Sequence, residues 1–344
     1  MSKILLIGPR TRKINPEKTG GVIVLFEQLI NELDQLGVEK IIIDANGANY
    51  GNKISAFLNI MYQMLLNIRK VDHVSLHGTA ATYLSVAPFA ILLCRLFRKT
   101  LSLRKFAGNF NQFYENGGKF RRGIIEFILR NADYTFFETK FLVEYFGKYN
   151  ENTFWFPNVR ERTFTPELPR SFNKRFVFIS HVSKGKGIDQ ILEASNQLEP
   201  GYTIDIYGPI MYGEYSEKDF KNYNVNYKGA LKHNEVIPTL NKYDVLLLPS
   251  YRAEEGYPGI IIEAYSLGIP IISTSLKSIK EICDNGVEGL LVTPKSIPEM
   301  VFAIKYFNRD NYQKFSQQAF KKFEVFRSDI HTNKFLETLQ LVSQ

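Results

Sequence analysis

The chain has 344 residues, of which 44% are hydrophobic and 23% are charged. These values are typical of globular proteins and exclude disordered, collagen-like and coiled-coil chains. Because domains average about 100 to 200 residues, this length favours two domains. The two cysteines, Cys94 and Cys283, are far apart in the sequence. Neither a disulfide framework nor a structural zinc site is therefore expected, and a reducing, cytoplasmic location is favoured.

The net charge of +8 lies in the N-terminal half. Residues 1–165 contain 22 lysines and arginines against 14 acidic residues, whereas residues 166–344 contain 21 of each. Basic residues next to apolar ones suit an anionic membrane surface or a phosphate-bearing acceptor, with a solvated surface as the alternative. No nucleic-acid motif accompanies them, so nucleic acid is not an expected partner. The clustered residues are Arg95, Arg98, Lys99, Arg104, Lys105, Lys119, Arg121 and Arg122.

Two apolar stretches bear on membrane insertion. The N-terminal residues 1–8 have too short an apolar part for a signal peptide and predict a first strand. The longest apolar run, residues 84–94, has about half of the roughly 20 residues that a spanning helix needs and contains Pro88. The sequence therefore predicts a soluble or peripheral protein.

Strands and helices alternate in the first part of the chain. Gly20 and Gly21 precede the first predicted helix, and Gly37 follows it. This alternation predicts a Rossmann-like domain over residues 1–165, with a parallel sheet covered on both faces. The predicted strands are 3–8, 40–43, 71–76, 100–103 and 133–137, and the predicted helices are 22–33, 56–68, 82–97 and 120–131.

The regularity fails around residues 152–174, where Pro157, Pro166 and Pro169 stand among polar residues and predict a linker. The alternation then restarts and predicts a second Rossmann-like domain over residues 170–310. Residues 311–344 are predicted to be helical. The predicted strands are 175–180, 202–207, 225–227, 245–249, 270–273 and 289–292, and the predicted helices are 187–198, 234–240 and 259–267.

The most informative segment is residues 243–264. An apolar strand ends at Pro249, a polar loop follows, and a helix begins near Gly259. The first N–H groups of a helix are unpaired and favour an anion. Glu255 and Glu263 would accept hydrogen bonds from sugar hydroxyls. A nucleotide sugar offers both a diphosphate and hydroxyls, whereas the alternative is a helix-capping Glu255 and a surface Glu263.

The stretch Glu255-Gly-Tyr-Pro-Gly-Ile-Ile-Ile-Glu263 resembles the Glu-x7-Glu signature of retaining glycosyltransferases of family 4, the glycosyl transferases group 1. Residues 264–272 and 286–292 resemble the next segments of that family in the same order. The resemblance implies the α/β GT-B fold, in which two Rossmann-like domains face each other across a cleft. It also implies an acceptor-binding first domain, a nucleotide-sugar-binding second domain, and a C-terminal helix that crosses back to the first.

The resemblance also implies roles for individual residues. Glu255 would contact the donor sugar and act in catalysis with Lys186, which matches the family's lysine for the diphosphate. Glu263 would bind the nucleotide ribose. The other implied donor-binding residues are Gly256, Tyr257, Gly259 and Ile260.

His181 stands where this family has an arginine. Arginine stays charged and grips phosphate with two donors, whereas an ordinary histidine is only partly protonated at neutral pH. Either a neighbouring cation such as Lys184 compensates, or donor affinity is lower and pH-dependent, or the donor differs. His181 is assigned to the donor site, with a structural histidine at a strand end as the alternative.

The acceptor side carries weaker similarities. Gly20 and Gly21 resemble the family's N-terminal glycine loop, or simply start a helix. Family members often have a histidine at a strand end of the first domain, but residues 101–110 contain none. His77, Arg104 and Lys105 are therefore the candidate acceptor or phosphate contacts.

The expected function is that of a retaining hexosyltransferase. It would move a sugar from a nucleotide-diphosphate sugar to a saccharide or polyprenyl-linked acceptor, in bacterial capsule, exopolysaccharide or lipopolysaccharide synthesis, at the inner face of the cytoplasmic membrane. The sequence has no Asp-x-Asp tripeptide, and the resemblance implies metal-free chemistry, so no metal or cofactor is expected. The alternatives are a nucleotide-sugar 2-epimerase of GT-B fold and a catalytically silent partner.

Overall fold

The computed structural model describes residues 3–14 and 20–341, apart from the side chain of Lys53. The chain forms two compact units. The first consists of Met1–Val159 together with Ser328–Gln344, and the second is Arg160–Arg327. Each unit contains a six-stranded sheet in which neighbouring strands are parallel. The prediction of two parallel α/β sheets is confirmed.

The sheet of the first unit has the strand order β2-β1-β3-β4-β5-β6. Its central strands are buried over their full length, as expected for parallel strands covered on both faces. The strands are β1 (Ile4–Gly8), β2 (Lys40–Asp44), β3 (His73–Gly78), β4 (Thr100–Lys105), β5 (Tyr134–Phe137) and β6 (Thr153–Trp155).

Helices cover both faces of this sheet. Because side chains alternate along a strand, Leu5 and Ile7 of β1 belong to one core and Ile4 and Leu6 to the other. The first core includes residues of α2, α3, α5 and α6, and the second includes residues of α1. The helices are α1 (Gly21–Gln35), α2 (Lys53–Asn67), α3 (Ala80–Phe97), α4 (Phe110–Glu115), α5 (Lys119–Asn131) and α6 (Lys140–Gly147).

Three elements of this unit were not predicted. β6 lies inside the predicted linker and pairs with β5 at the edge of the sheet. α4 has six residues and α6 has eight. Elements this short show too few repeats for a periodicity to be recognised.

The sheet of the second unit has the order β12-β11-β10-β7-β8-β9. Its strands are β7 (Arg175–Ile179), β8 (Thr203–Tyr207), β9 (Asn226–Tyr227), β10 (Val245–Leu248), β11 (Ile271–Thr274) and β12 (Gly289–Val292). Its helices are α7 (Ile188–Ser195), α8 (His233–Leu240), α9 (Gly259–Ser266), α10 (Lys277–Lys280), α11 (Ile297–Tyr306) and α12 (Arg309–Lys322).

This strand order determines where a ligand can bind. The first strand of the unit, β7, pairs directly with the fourth, β10. The chain therefore leaves these two neighbouring strands toward opposite sides of the sheet, and the loops after them border a crevice. Open parallel sheets bind ligands at such a switch point, outside the carboxyl ends of the strands.

The chain returns to the first unit at its end, in α13 (Ser328–Thr338). Phe335 and Leu336 join the core that contains α1, and the Ser328 hydroxyl donates to the buried carboxylate of Glu32. The prediction of a C-terminal helix that crosses back is confirmed. The structure divides the chain at Val159 and Ser328, whereas the predicted boundaries were 165 and 311, because α12 packs on α9 within the second unit.

Candidate functional site

The loops after β7 and β10 contact each other at the switch point of the second unit. The backbone N–H of Tyr251 donates to the carbonyl of Gly185 over 3.0 Å. Gly187, which precedes α7, has φ +82°, and a Cβ on it would lie 2.2 Å from the carbonyl oxygen of Pro249. Only glycine meets both requirements. The close approach of the two loops therefore depends on Gly187.

The two predicted catalytic residues, one from each loop, form an ion pair. Lys186 Nζ lies 2.8 and 2.7 Å from the two carboxylate oxygens of Glu255. Their side chains are only 12% and 11% exposed. Ser250 Oγ donates to the same carboxylate over 2.6 Å, and Ser278 Oγ donates to the Glu255 carbonyl over 2.8 Å. The carboxylate is thus held in place by a cation and a hydroxyl.

The second carboxylate of the signature has a cationic partner that the sequence analysis missed. Arg160 Nε donates to Glu263 Oε1 over 2.7 Å, and each side chain is 12% exposed. A Cβ on Gly259 would lie only 1.7 Å from Arg160 Nη2. Gly259 is the first residue of α9. The guanidinium therefore lies against the beginning of this helix.

The beginning of α9 has the properties of an anion site. The preceding residue, Pro258, makes no side-chain capping hydrogen bond, and the first N–H groups of a helix have no partner within it. The helix dipole adds a partial positive charge at this end. Gly259 and Ile260, the predicted diphosphate contacts, are its first two residues. With Arg160 beside them, this region favours negative charge.

Tyr257, a predicted donor contact, has a buried side chain. Its side chain is 2% exposed, its hydroxyl donates to the carboxylate of Glu281, and its ring packs edge-on against Phe326. The structure therefore assigns this side chain to the packing of the loop. Gly256 lies between it and Glu255.

His181 lies in the loop after β7, near two cations. Burial, followed by the positive charges of Lys186 and Arg252, lowers the pKa of His181 below its ordinary value. The imidazole is therefore neutral at pH 7 and cannot supply the charge of the arginine that it replaces. Lys184, considered above as a compensating cation, is not among the charges that shift this pKa.

Arg252 is a second cation that the sequence analysis did not assign. Its Cγ lies 2.9 Å from where a Cβ on Gly185 would be, so its side chain crosses the loop that carries Lys186. Its guanidinium lies 3.3 Å from the carboxylate of Glu254, and both side chains are nearly half exposed. Such an exposed pair holds the guanidinium weakly, so an incoming anion can recruit it.

Of the predicted acceptor residues of the first unit, two lie at the beginning of α1 and three are buried at the ends of strands. Gly20 is the N-cap of α1 and Gly21 its first residue, and a Cβ on either would meet nothing within 4 Å. Among the described residues, nothing steric requires glycine there. His77, Arg104 and Lys105 lie at the carboxyl ends of β3 and β4 and are at most 2% exposed.

His77 and Arg104 are paired in the sheet register, whereas Lys105 pairs with Gly78. Within the described residues, His77 Nδ1 and Arg104 Nε and Nη1 have no hydrogen-bond partner. The Arg104 guanidinium stacks 3.4 Å from the centre of the Phe156 ring. Burial lowers the pKa of Arg104 to about 9 and that of Lys105 to about 8. These groups are buried in this state, and their contact with an acceptor or a phosphate stays a prediction.

In the described part of the chain, no three His, Cys, Asp or Glu side chains lie close enough together to hold a metal ion.

Two ion pairs of the second unit, Arg160–Glu263 and Arg252–Glu254, should differ in how much they stabilise it. Arg160→Ala leaves the carboxylate of Glu263 largely buried without this cation, so we expect a loss of about 2–3 kcal/mol of unfolding free energy. Arg252→Ala removes an exposed pair and should cost less than about 1 kcal/mol. Urea denaturation of both variants measures the difference. Equal losses would contradict the assignment of the Arg160–Glu263 pair as the structural one.

Residues 159–322 match the family model for glycosyl transferases group 1. A relative from Klebsiella pneumoniae, named "uncharacterized 41.2 kDa protein in cps region", is 25% identical over 166 residues, 46% of this chain and 45% of that one. The amylovoran biosynthesis glycosyltransferase AmsK of Erwinia amylovora is 27% identical over 129 residues, 34% of this chain and 31% of that one. The match to each relative spans less than half of the relative's own length.

Solved structures extend the likeness to the whole chain. HepE from Anabaena, solved in complex with UDP, superposes with a TM-score of 0.74 at 14% identity and covers 99% of this chain and 100% of its own. This likeness shows the fold, and the prediction of GT-B architecture is confirmed. The second unit, which the family model covers almost entirely, thus matches the glycosyl transferases group 1, within a chain that has the GT-B fold over nearly its whole length.

Proposed function

We propose that this protein is a retaining glycosyltransferase that moves a hexosyl group from a nucleotide-diphosphate sugar to a saccharide or lipid-linked saccharide acceptor. The observation that carries the proposal is the ion pair between Lys186 and Glu255 at the switch point. It lies in the unit that matches the glycosyl transferases group 1. Two further observations support it. The beginning of α9 favours an anion, and Glu263 lies one turn further along the same helix.

In this proposal, the donor occupies the switch point of the second unit. The diphosphate accepts hydrogen bonds from the N–H groups of Gly259 and Ile260 and from the ammonium of Lys186. Glu263 accepts from the ribose hydroxyls, and Glu255 accepts from the hydroxyls of the transferred sugar. Each carboxylate exchanges its present cationic partner, wholly or in part, for neutral donors. The cations released in this way are then available to the phosphates.

Cleavage of the bond between the sugar and the diphosphate leaves additional negative charge on the departing phosphate. Groups that are already in position where this charge develops lower the barrier most. Lys186 is the best placed ammonium, and the N–H groups of α9 add fixed dipoles. The proposal includes no metal ion and assigns this charge stabilisation to the chain's own residues.

Arg252 completes the donor site in this proposal. His181 is neutral at pH 7 because of its lowered pKa, so it donates a hydrogen bond but no charge. Arg252, whose charge contributes to that lowering, is held only by an exposed ion pair. We infer that it turns toward the diphosphate and supplies the bidentate contact that an arginine at position 181 would make.

The physiological role in this proposal is the synthesis of a bacterial cell-surface polysaccharide, at the inner face of the cytoplasmic membrane. The names of the relatives support it, since one is a biosynthesis glycosyltransferase for amylovoran and another is in a cps region. The basic excess of the first half of the chain suits a phosphate-bearing, lipid-linked acceptor.

A thermal-shift panel with UDP, GDP, ADP, CMP and their sugar conjugates tests donor binding. UDP comes first because HepE was solved with it. One nucleotide class should raise the melting temperature by mass action, by a few degrees at a concentration of about 100 Kd. EDTA should leave the shift intact, whereas Lys186→Ala and Glu263→Ala should abolish it.

Lys305→Ala is the matched control, because Lys305 also forms an ion pair in the second unit, with Glu199, but lies in α11. It should keep the full shift. If no nucleotide stabilises the folded wild-type protein, the proposed donor site is wrong and a catalytically silent partner becomes the favoured alternative.

A double-mutant cycle tests the role of Arg252. Titration calorimetry at pH 7 should show that Arg252→Ala weakens the binding of the nucleotide identified above about tenfold, the value of one charge-assisted hydrogen bond. His181→Arg should tighten it by a similar factor. In the His181→Arg background, removing Arg252 should cost less than about threefold, because the new arginine makes the same contact. An equal loss in both backgrounds, or none in the wild type, would show that Arg252 does not replace the missing arginine.

A further inference from the structure

Helix α2 of the first unit is apolar on two opposite sides. Its outer side carries Ile54, Leu58 and Tyr62 at four-residue spacing, and these are 71%, 58% and 58% exposed. A helix on the surface of a globular protein normally has polar residues there. The outer stripe continues with Leu65 and Leu66, and the buried side consists of Ala56, Ile60 and Met64.

The neighbouring helices continue this exposed surface. α3 packs against both α2 and α5. It exposes Leu92 and Leu96, and α5 exposes Phe120 and Phe127. Phe120, at 84% exposure, is the most exposed phenylalanine of the described chain. A groove with a volume of about 400 Å³ runs between the two helices, lined by Leu84, Pro88, Lys119, Phe120, Gly123, Ile124 and Phe127. We call the outer sides of α2, α3 and α5 the apolar helix face.

The charges around the apolar helix face are mostly positive. Between Asp44 and Glu115 the sequence has a single acidic residue, Asp72, which accepts a hydrogen bond from the N–H of Lys3. Glu126, the acidic residue of α5, accepts from the hydroxyl of Tyr114. The exposed basic residues at the ends of α2 and α3 and along α5 are Arg69, Lys70, Arg95, Arg98, Lys119, Arg122 and Arg130.

α3 is one of the helices that cover the sheet of the first unit, and its outer side belongs to the apolar helix face. In the described part of the chain it is the one helix that is long and apolar enough to cross a membrane, a test that core helices also pass. It is also the connection between β3 and β4, which are paired in parallel along their whole length. Its inner side, with Ala87, Ala90 and Cys94, is buried in the core. A transmembrane orientation would unpack this side, whereas a helix lying in the interface keeps it packed and buries Leu92 and Leu96 in lipid.

We propose that the apolar helix face docks the protein on the surface of an anionic lipid bilayer. The exposed aliphatic and aromatic side chains enter the boundary between headgroups and acyl chains, and the surrounding lysines and arginines contact anionic headgroups. Each basic residue near such a surface contributes about fivefold in affinity, and full burial of one large apolar side chain about tenfold or more. The proposal stands on the first unit alone and does not depend on donor binding in the second.

Vesicle co-sedimentation of the full chain tests the proposal. The vesicles are made of phosphatidylcholine alone or of phosphatidylcholine with phosphatidylglycerol. The wild-type protein should sediment with the mixed vesicles, at least about tenfold more strongly than with the neutral ones, and less in high salt. Phe120→Ser and Leu92→Ser should each weaken partitioning about tenfold. Phe302→Ser, which removes a 66% exposed phenylalanine of the second unit, is the matched control and should not weaken it.

The variants must keep the wild-type melting temperature, as expected for exposed substitutions, so that loss of sedimentation reports docking and not unfolding. Failure of the wild type to sediment with mixed vesicles would overturn the proposal. Equal sedimentation with neutral vesicles, or an unchanged affinity of the Phe120→Ser and Leu92→Ser variants, would do the same. A dimer in analytical ultracentrifugation that these variants dissociate, without vesicle binding, would show that a second copy of the chain covers this face instead.

Discussion

The ion pair between Lys186 and Glu255 depends on the strand order of the second sheet. These residues are 69 positions apart, and their loops meet because β7 and β10 are hydrogen-bonded neighbours. Gly187 keeps the two loops close, since any side chain there would collide with Pro249. The same topology brings the beginning of α9 to this end of the sheet, because α9 follows the loop after β10. The proposed donor site thus depends on the strand order of the sheet as well as on its individual residues.

Three acidic residues of the candidate donor site are paired with cations in this state. Glu255 is paired with Lys186, Glu263 with Arg160, and Glu254 with Arg252. The Lys186–Glu255 and Arg160–Glu263 pairs are largely buried, so removing one partner lowers the free energy of unfolding strongly. The Arg252–Glu254 pair is exposed and contributes little. A bound diphosphate would therefore recruit Arg252 more easily than Lys186 or Arg160. This order explains how the site can stay folded without a ligand and still offer positive charge to one.

The sequence was sufficient for the parallel sheets and the loop before α9, because these depend on local patterns. The roles of Glu255 and Glu263 came from the resemblance to a family and stay predictions. Arg160 could not be recognised, since it lies 103 residues from Glu263 in a stretch that predicted a linker. Arg252 stood within the informative segment but had no pattern to mark it.

The burial of His77, Arg104 and Lys105 was missed because a polar residue at a strand end is as compatible with an open site as with a packed one. The apolar helix face was visible only in part, through the basic residues after the run at 84–94, since the outer stripe of α2 is recognisable only once its inner side is known.

The account is tested most directly by a crystal structure of the protein with the bound nucleoside diphosphate that the thermal-shift panel selects. It predicts that the diphosphate lies at the N–H groups of Gly259 and Ile260, within hydrogen-bonding distance of Lys186. It also predicts the ribose on Glu263 and the Arg252 guanidinium turned from Glu254 toward the phosphates. A nucleotide bound elsewhere, or bound at α9 with the Lys186–Glu255 and Arg252–Glu254 pairs intact and distant from the phosphates, would contradict the assignment of these residues as the donor site.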